Sequence, residues 1–265
     1  DYLEGLNADI AAIDLPGSII QSRVRQFLDG MGYEIVSIES GIWFTEMRDA
    51  DTFISQQQPI VSSFFDFTRL SEFEIMFMRT TVLRVVEEMS SAWLDTLFQN
   101  PRREIYDRIL FEYDQLEDAS SLPAPKFVFA HIMAPHSSGL IFAEDGSFEV
   151  STTVDPALGN ELIYLNSRTL DAVRAILAGS KNPPVIIVQS DHGLDTESRL
   201  ANLSAIYFPH GGDASLYPTI TPVNYFRLVF NEYFGQDFPL LPDASYQSTY
   251  DDYYDFTEVT YPCLP

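Results

Sequence analysis

The chain has 265 residues, 46% of them hydrophobic, which is enough for a sizeable core in one large domain or two small ones. Its 39 acidic residues against 15 basic ones give a net charge of −24, a field that repels nucleic acid and anionic membrane surfaces. No apolar run approaches the ~18 residues that a membrane-spanning helix needs, and a single cysteine, Cys263, excludes an internal disulfide and a multi-cysteine zinc site.

The sequence begins at Asp1 with no Met, no basic n-region and no apolar h-region, so it is expected to be a processed chain or a fragment. Ile19 to Met31 has Val24, Phe27, Leu28 and Met31 on one helical face. Gly32 ends that helix, and Tyr33 to Ile38 alternates as a strand. Residues 45–70 lack a period and read as a long loop with short turns. Ser71 with Glu74 forms a capping box, opening a helix whose stripe is Ile75, Met78, Val82, Val86 and Met89. Asn100-Pro101 starts another, with Ile105, Ile109, Tyr113 and Leu116 at helical spacing. After a Ser- and Pro-rich loop, Lys126 to Met133 is a strand, and Pro135 to Pro156 is irregular. Leu158, Leu162, Leu165, Thr169, Val173 and Ile176 share one face of a long helix that Gly179 caps, leaving Arg168, Asp171 and Arg174 on its solvated face. Val185 to Gln189 and Leu203 to Phe208 are strands; Thr221 caps and Pro222 begins a helix that runs to about Phe234. The segment after Gly235 is acidic and rich in Tyr.

Strands separated by helices predict an α/β fold, a mostly parallel central sheet with helices on both faces. Residues 1–235 form that domain, and 236–265 an acidic C-terminal tail. Ligands of such sheets sit beyond the carboxyl ends of the strands. One strand delivers His131 and His136 to that edge, and another delivers Asp191 and His192. Asp191 offers a hard oxygen and His192 an imidazole nitrogen, while Gly193 permits the turn that lets neighbours converge on one ion. Two donors are half a site, and by itself the triplet reads equally as a turn with a capped histidine. His131 lies on an apolar strand, where a hydrogen-bonded core histidine is the alternative. His210, beside Gly211-Gly212, reads as a loop histidine, and the run from Tyr250 to Glu258 as an acidic tail lacking the spacing of a calcium loop.

Three blocks in order carry a resemblance: "FLDGMGYEIVSIESGIW", "PKFVFAHIMAPHSS", and the helix "YLNSRTLDAVRAILAGSKNPP" feeding into "VIIVQSDHG". Together they resemble the sulfatase-like part of the alkaline phosphatase superfamily. The branch they look like is that of bacterial sulfatase-like proteins on membrane anchors, related to lipoteichoic acid synthases. The resemblance implies that Asp191 and His192 ligate a divalent metal (Mn, Zn, Mg or Ca), which reverses the local sign of charge for an anionic substrate. It implies that His136 faces the leaving group or the charged oxygens, and that His131 approaches the site. The implied activity is hydrolysis or transfer of a phosphate or sulfate ester, small or lipid-linked, through a covalent intermediate. The implied setting is the extracytoplasmic face of a membrane, reached only through an N-terminal anchor.

The departures are as informative. In this superfamily an acidic ligand and the Thr, Ser or Cys nucleophile precede the Gly-Tyr strand. Only one helix precedes Tyr33, so the nucleophile is expected upstream of Asp1, and the fold is expected to lack its N-terminal part. Ser18, Ser40 and Thr45 do not lie on the expected motif. Ile42 and Phe44 flank Trp43 where sulfatases carry Lys and His, which points away from a true sulfatase. The alternative reading is a degenerate, non-catalytic sulfatase-like module with a binding or structural role.

Overall fold

The computed structural model describes residues 15–56, 101–136, 141–151, 154–193, 199–248 and 255–259. The helix expected from Ser71 onward lies outside them. The chain divides into two compact units, one of Ile19–Gln21 and Arg25–Gly179, the other of Asp1–Ser18, Ser22–Val24 and Ser180–Pro265.

The unit centred on residues 25–179 is built on a parallel sheet. Helix α1 (Leu15–Ile20) and helix α2 (Arg23–Gly30) replace the single helix expected from Ile19 to Met31. The chain breaks at Gln21-Ser22, where side chains take over the freed carbonyls: Arg25 donates to Ile20 O at 2.8 Å and Gln26 to Gln21 O at 2.9 Å. Gly32, at φ +81°, closes α2 and turns the chain into strand β1 (Glu34–Ile38). Ile35, Val36, Ser37 and Ile38 are all buried, as a central strand requires. Strand β2 (Thr52–Ile54), only three residues and therefore without a readable period, pairs parallel on one side of β1. Strand β3 (Lys126–Phe129) pairs parallel on the other, giving the order β2-β1-β3. It stops at Phe129, opposite Ser37, so His131 stands beyond the strand rather than within it.

Two long helices hold the core of this unit. Helix α3 (Pro101–Asp118) and helix α4 (Val154–Gly179) bring Tyr106, Ile109 and Tyr113 against Leu165 and Ala172, with Ile141 and Phe142 from the intervening segment. Each buried large side chain contributes ~1.5–3 kcal/mol. Glu161, buried on α4, accepts the amides of Ile141 (2.7 Å) and Phe142 (3.1 Å) and so hangs the intervening segment on the helix. Asp171 and Arg174 pair on the exposed face, as expected. Arg168 does not. Its side chain is 22% exposed, bridges Asp114 and Glu117 of α3, and lies over the ring of Tyr113.

In the other unit, strands β4 (Ile186–Gln189) and β5 (Ser204–Tyr207) form an antiparallel pair. Helix α5 (Pro222–Phe234) buries Tyr225, Leu228, Val229 and Phe230 and ends at Gly235, φ +63°. Tyr225 reaches Ser204 of β5 with its hydroxyl at 2.6 Å. Residues 236–243 run back along α5, bonded through Asn224, Arg227 and Asn231. Short strands β6 (Ser245–Gln247) and β7 (Thr257–Val259) pair antiparallel. The architecture is thus mixed helix and strand, and among the described residues parallel pairing is confined to β1, β2 and β3. No helix among them is long and apolar enough to cross a membrane.

Candidate functional site

Asp191 and His192 sit where β4 ends. Ser190 and Leu203 close the β4–β5 pair through their backbones at 3.0 Å, and the Ser190 hydroxyl accepts the Leu203 amide at 2.7 Å. The amide of Gly193 then donates to Arg199 O. Between these ties the two side chains turn toward each other. Asp191 Oδ1 accepts the backbone amide of His192 at 2.9 Å, which leaves Oδ2 facing the ring. His192 Nδ1 lies 2.7 Å from Gly193 O. A carbonyl only accepts, so Nδ1 carries a proton, and in the neutral ring Nε2 holds the lone pair. Asp191 Oδ2 and His192 Nε2 stand 3.5 Å apart. Donors about 2.1 Å from a tetrahedral ion stand about 3.4 Å apart. The pair therefore fits two neighbouring ligands of one divalent ion, with the imidazole anchored by its other nitrogen as metal-bound histidines are. The Asp191 and His192 side chains are 79% and 41% exposed, so an ion can reach them. Among the described residues no group of three or more His, Cys, Asp or Glu side chains is arranged to hold an ion.

A second polar cluster occupies the carboxyl edge of the parallel sheet, in the other unit. His131, past the end of β3, meets Thr45, past the end of β1: Nδ1 to Oγ1 is 2.8 Å. Thr45 Oγ1 also lies 3.1 Å from Ile42 O and 3.3 Å from Ser40 Oγ, which in turn accepts the Ile42 amide. Buried Glu46 ties the same turn, accepting Gly41 N at 2.8 Å and Arg48 Nε at 2.7 Å. From α3, the Arg108 guanidinium lies directly on Gly41, where a Cβ would overlap it; a glycine at φ +76° meets both needs.

Glu112, one turn along α3 from Arg108, is fully buried, and neither carboxyl oxygen has a hydrogen-bond partner among the described residues. Burial pushes its pKa up to about 8; the Arg108 charge lowers it, and Glu39 and Glu46 raise it further. The group is a neutral carboxylic acid at pH 7.

Asp191 with His192 form one sequence-predicted constellation that is brought together; His131 belongs to another. His136 is exposed, past β3 in the same unit as His131. His210 sits at φ +59° in the turn before Gly211, as a loop histidine. Sequence reading set Ser40 and Thr45 aside as nucleophiles and passed over Arg108 and Glu112. No local pattern marks them, because Thr45 and His131 are 86 residues apart and meet only through the parallel pairing of β1 and β3. No family model, no curated protein and no solved structure matched the chain.

Proposed function

We propose that this chain is a divalent-metal-binding portion of a hydrolase or transferase of the sulfatase-like type, acting on phosphate or sulfate esters through a covalent intermediate. Asp191 and His192 are the metal ligands. The observation that carries the reading is their geometry: one oxygen and one nitrogen donor, each anchored through its other polar atom, 3.5 Å apart at a strand end. A bound divalent ion would neutralise ester oxygens and activate a nucleophile in a chain of net charge −24. The ester class, the substrate-facing role of His136 and an extracytoplasmic setting belong to the same proposal and rest on the sequence resemblance. So does the finer fold assignment, a mostly parallel central sheet covered on both faces.

Titration with Mn²⁺ and Zn²⁺, followed by thermal unfolding, tests the ligands. At a hundredfold excess over Kd, one site stabilises by about 2.7 kcal/mol. Asp191→Ala and His192→Ala are each expected to abolish the metal-dependent rise in Tm while leaving the metal-free Tm within a few degrees, since both side chains are solvent-facing. A metal response that survives both substitutions would refute this assignment. Turnover of p-nitrophenyl phosphate against p-nitrophenyl sulfate, with the metal present and the sequence upstream of Asp1 included, separates the ester classes.

A further inference from the structure

Arg25, Arg48, Arg103, Arg168 and Arg174 each pair with a carboxylate, as the excess of acidic residues makes easy. Arg108 departs from this pattern. It is half-buried on α3, and among the described residues its guanidinium makes no hydrogen bond and no ion pair. The acids around it are engaged elsewhere or uncharged. Glu104 and Glu112 stand one turn to either side on α3, at the spacing that favours ion pairs, yet neither forms one with it. Glu112 is protonated at pH 7 and makes no claim on the cation. Glu46 spends Oε1 on the Gly41 amide and Oε2 on Arg48. Glu39 Oε2 accepts the Gln56 amide at 2.9 Å. The guanidinium rests instead on bare backbone: its Nη1, Cζ and Nε fill the space where a Gly41 side chain would begin.

The location gives this unspent cation a use. Gly41 lies just past the end of β1, at the carboxyl edge of the parallel sheet, where ligands of such sheets bind. Gly41 is exposed, so the guanidinium seated on it lies within reach of solvent. Its five N–H donors form a planar fork that matches two neighbouring oxygens of one anion. We propose that Arg108, seated on Gly41, binds an oxyanion: a phosphate, sulfate or carboxylate group that presents two oxygens side by side to the fork. The field of a chain of net charge −24 repels anions, and a guanidinium without a carboxylate partner reverses that sign locally. Glycine at position 41 serves the site twice, by its φ of +76° and by leaving the seat open. Every residue of the site belongs to the unit of Arg25–Gly179, and the binding needs no metal, so it stands apart from Asp191 and His192.

Inorganic phosphate, sulfate and acetate are the probes, each titrated into the metal-free protein beside NaCl of equal ionic strength. The Arg108 Nε–Hε resonance in nitrogen-15 spectra, assigned by its loss in Arg108→Met, reads the guanidinium itself. The expected result is a saturable shift with at least one oxyanion and none with chloride. Phosphate and sulfate responding together identify a tetrahedral group, and acetate alone a carboxylate. Calorimetry should show affinity weakened at least about tenfold in Arg108→Met, which loses two charge-assisted hydrogen bonds. Arg108→Lys, which keeps the charge without the fork, should recover only part of it. A resonance that no oxyanion saturates, or that chloride moves as far, overturns the site, and so does unchanged affinity in a folded Arg108→Met. Full recovery in Arg108→Lys overturns the two-oxygen geometry. The parent resonance decides the binding even where a variant does not fold. The metal titration of Asp191 and His192 is a separate measurement, so either site can fail without the other.

Discussion

Glu112 and Glu161 are two buried carboxyl groups with opposite support. Burial raises the pKa of each, but two backbone amides answer Glu161, and none of the described groups hydrogen-bonds Glu112. For Glu112 the consequence is a linkage between pH and stability. The folded chain keeps the proton up to about pH 8, while the unfolded chain releases it near 4.5. The folded state therefore binds more protons across that window, and stability falls as pH rises through it. The penalty reaches about 3 kcal/mol near pH 7 at most. Glu112→Met, which fills a similar volume without a charge to suppress, is expected to stabilise the fold by about 1–3 kcal/mol at pH 7.5 and by much less at pH 5. Urea unfolding at the two pH values measures it, and an equal difference at both would show that Glu112 does not carry a raised pKa. The magnitude decides the matter against hydrogen bonding, since one ordinary bond nets only about 1 kcal/mol.

At the scale of an element, α5 shows how far a helix can reach for its cap. Thr221 stands at the N-cap without a side-chain bond to the first turn. Asp243, beyond the helix, supplies the acceptor: its Oδ1 takes the Thr221 backbone amide and hydroxyl at 2.7 Å each and the Asn224 side-chain amide at 3.0 Å, and Oδ2 takes the Tyr217 hydroxyl at 2.7 Å. Burial raises the Asp243 pKa, but bonds from Thr221, Tyr217 and Asn224 together outweigh it and hold the pKa below the usual value. The stability it contributes is present above the ordinary carboxylate range and is lost as pH falls through the lowered pKa. Asp243→Ala should cost about 1–2 kcal/mol at pH 7 and much less at pH 3, measured by chemical denaturation. Both ends of α5 were legible in the sequence because Pro222 and Gly235 are local signals. So was Thr221 as the N-cap residue; its acceptor was not, since a carboxylate that arrives from Asp243 leaves no trace near Thr221. The same limit applies to the candidate sites: Asp191 and His192 are neighbours in the chain and could be read together, whereas Thr45 and His131 needed the β1–β3 pairing to meet. The break between α1 and α2 was hidden for a different reason, because Ile20 before it keeps helical spacing with Val24, Phe27 and Leu28 after it.

For the molecule as a whole, the alternation of apolar runs and helical periods gave a mixed helix-and-strand fold and little of its strand pairing. Apolar runs located β1, β3, β4 and β5, but a run of that kind carries no information about its partner's direction, and β4 with β5 proved antiparallel. The net charge of −24 acts at this scale too. Like charges spread over the surface repel within a Debye length, about 10 Å at 0.1 M salt and about 3 Å at 1 M. Raising NaCl from 10 mM to 0.5 M should lift the thermal midpoint by roughly 3–5 °C, and a flat or falling midpoint in calorimetry would show that self-repulsion is not limiting. The two bonds from Glu161 to Ile141 and Phe142 have a reach of their own. Ile141 is moored to α4, and Phe129, laced to Ser37, stands two residues before His131. Thr45 ties the His131 ring at 2.8 Å as well, so any exchange that loosens the β1–β3 pairing reaches that imidazole from the strand before it and from the turn after β1.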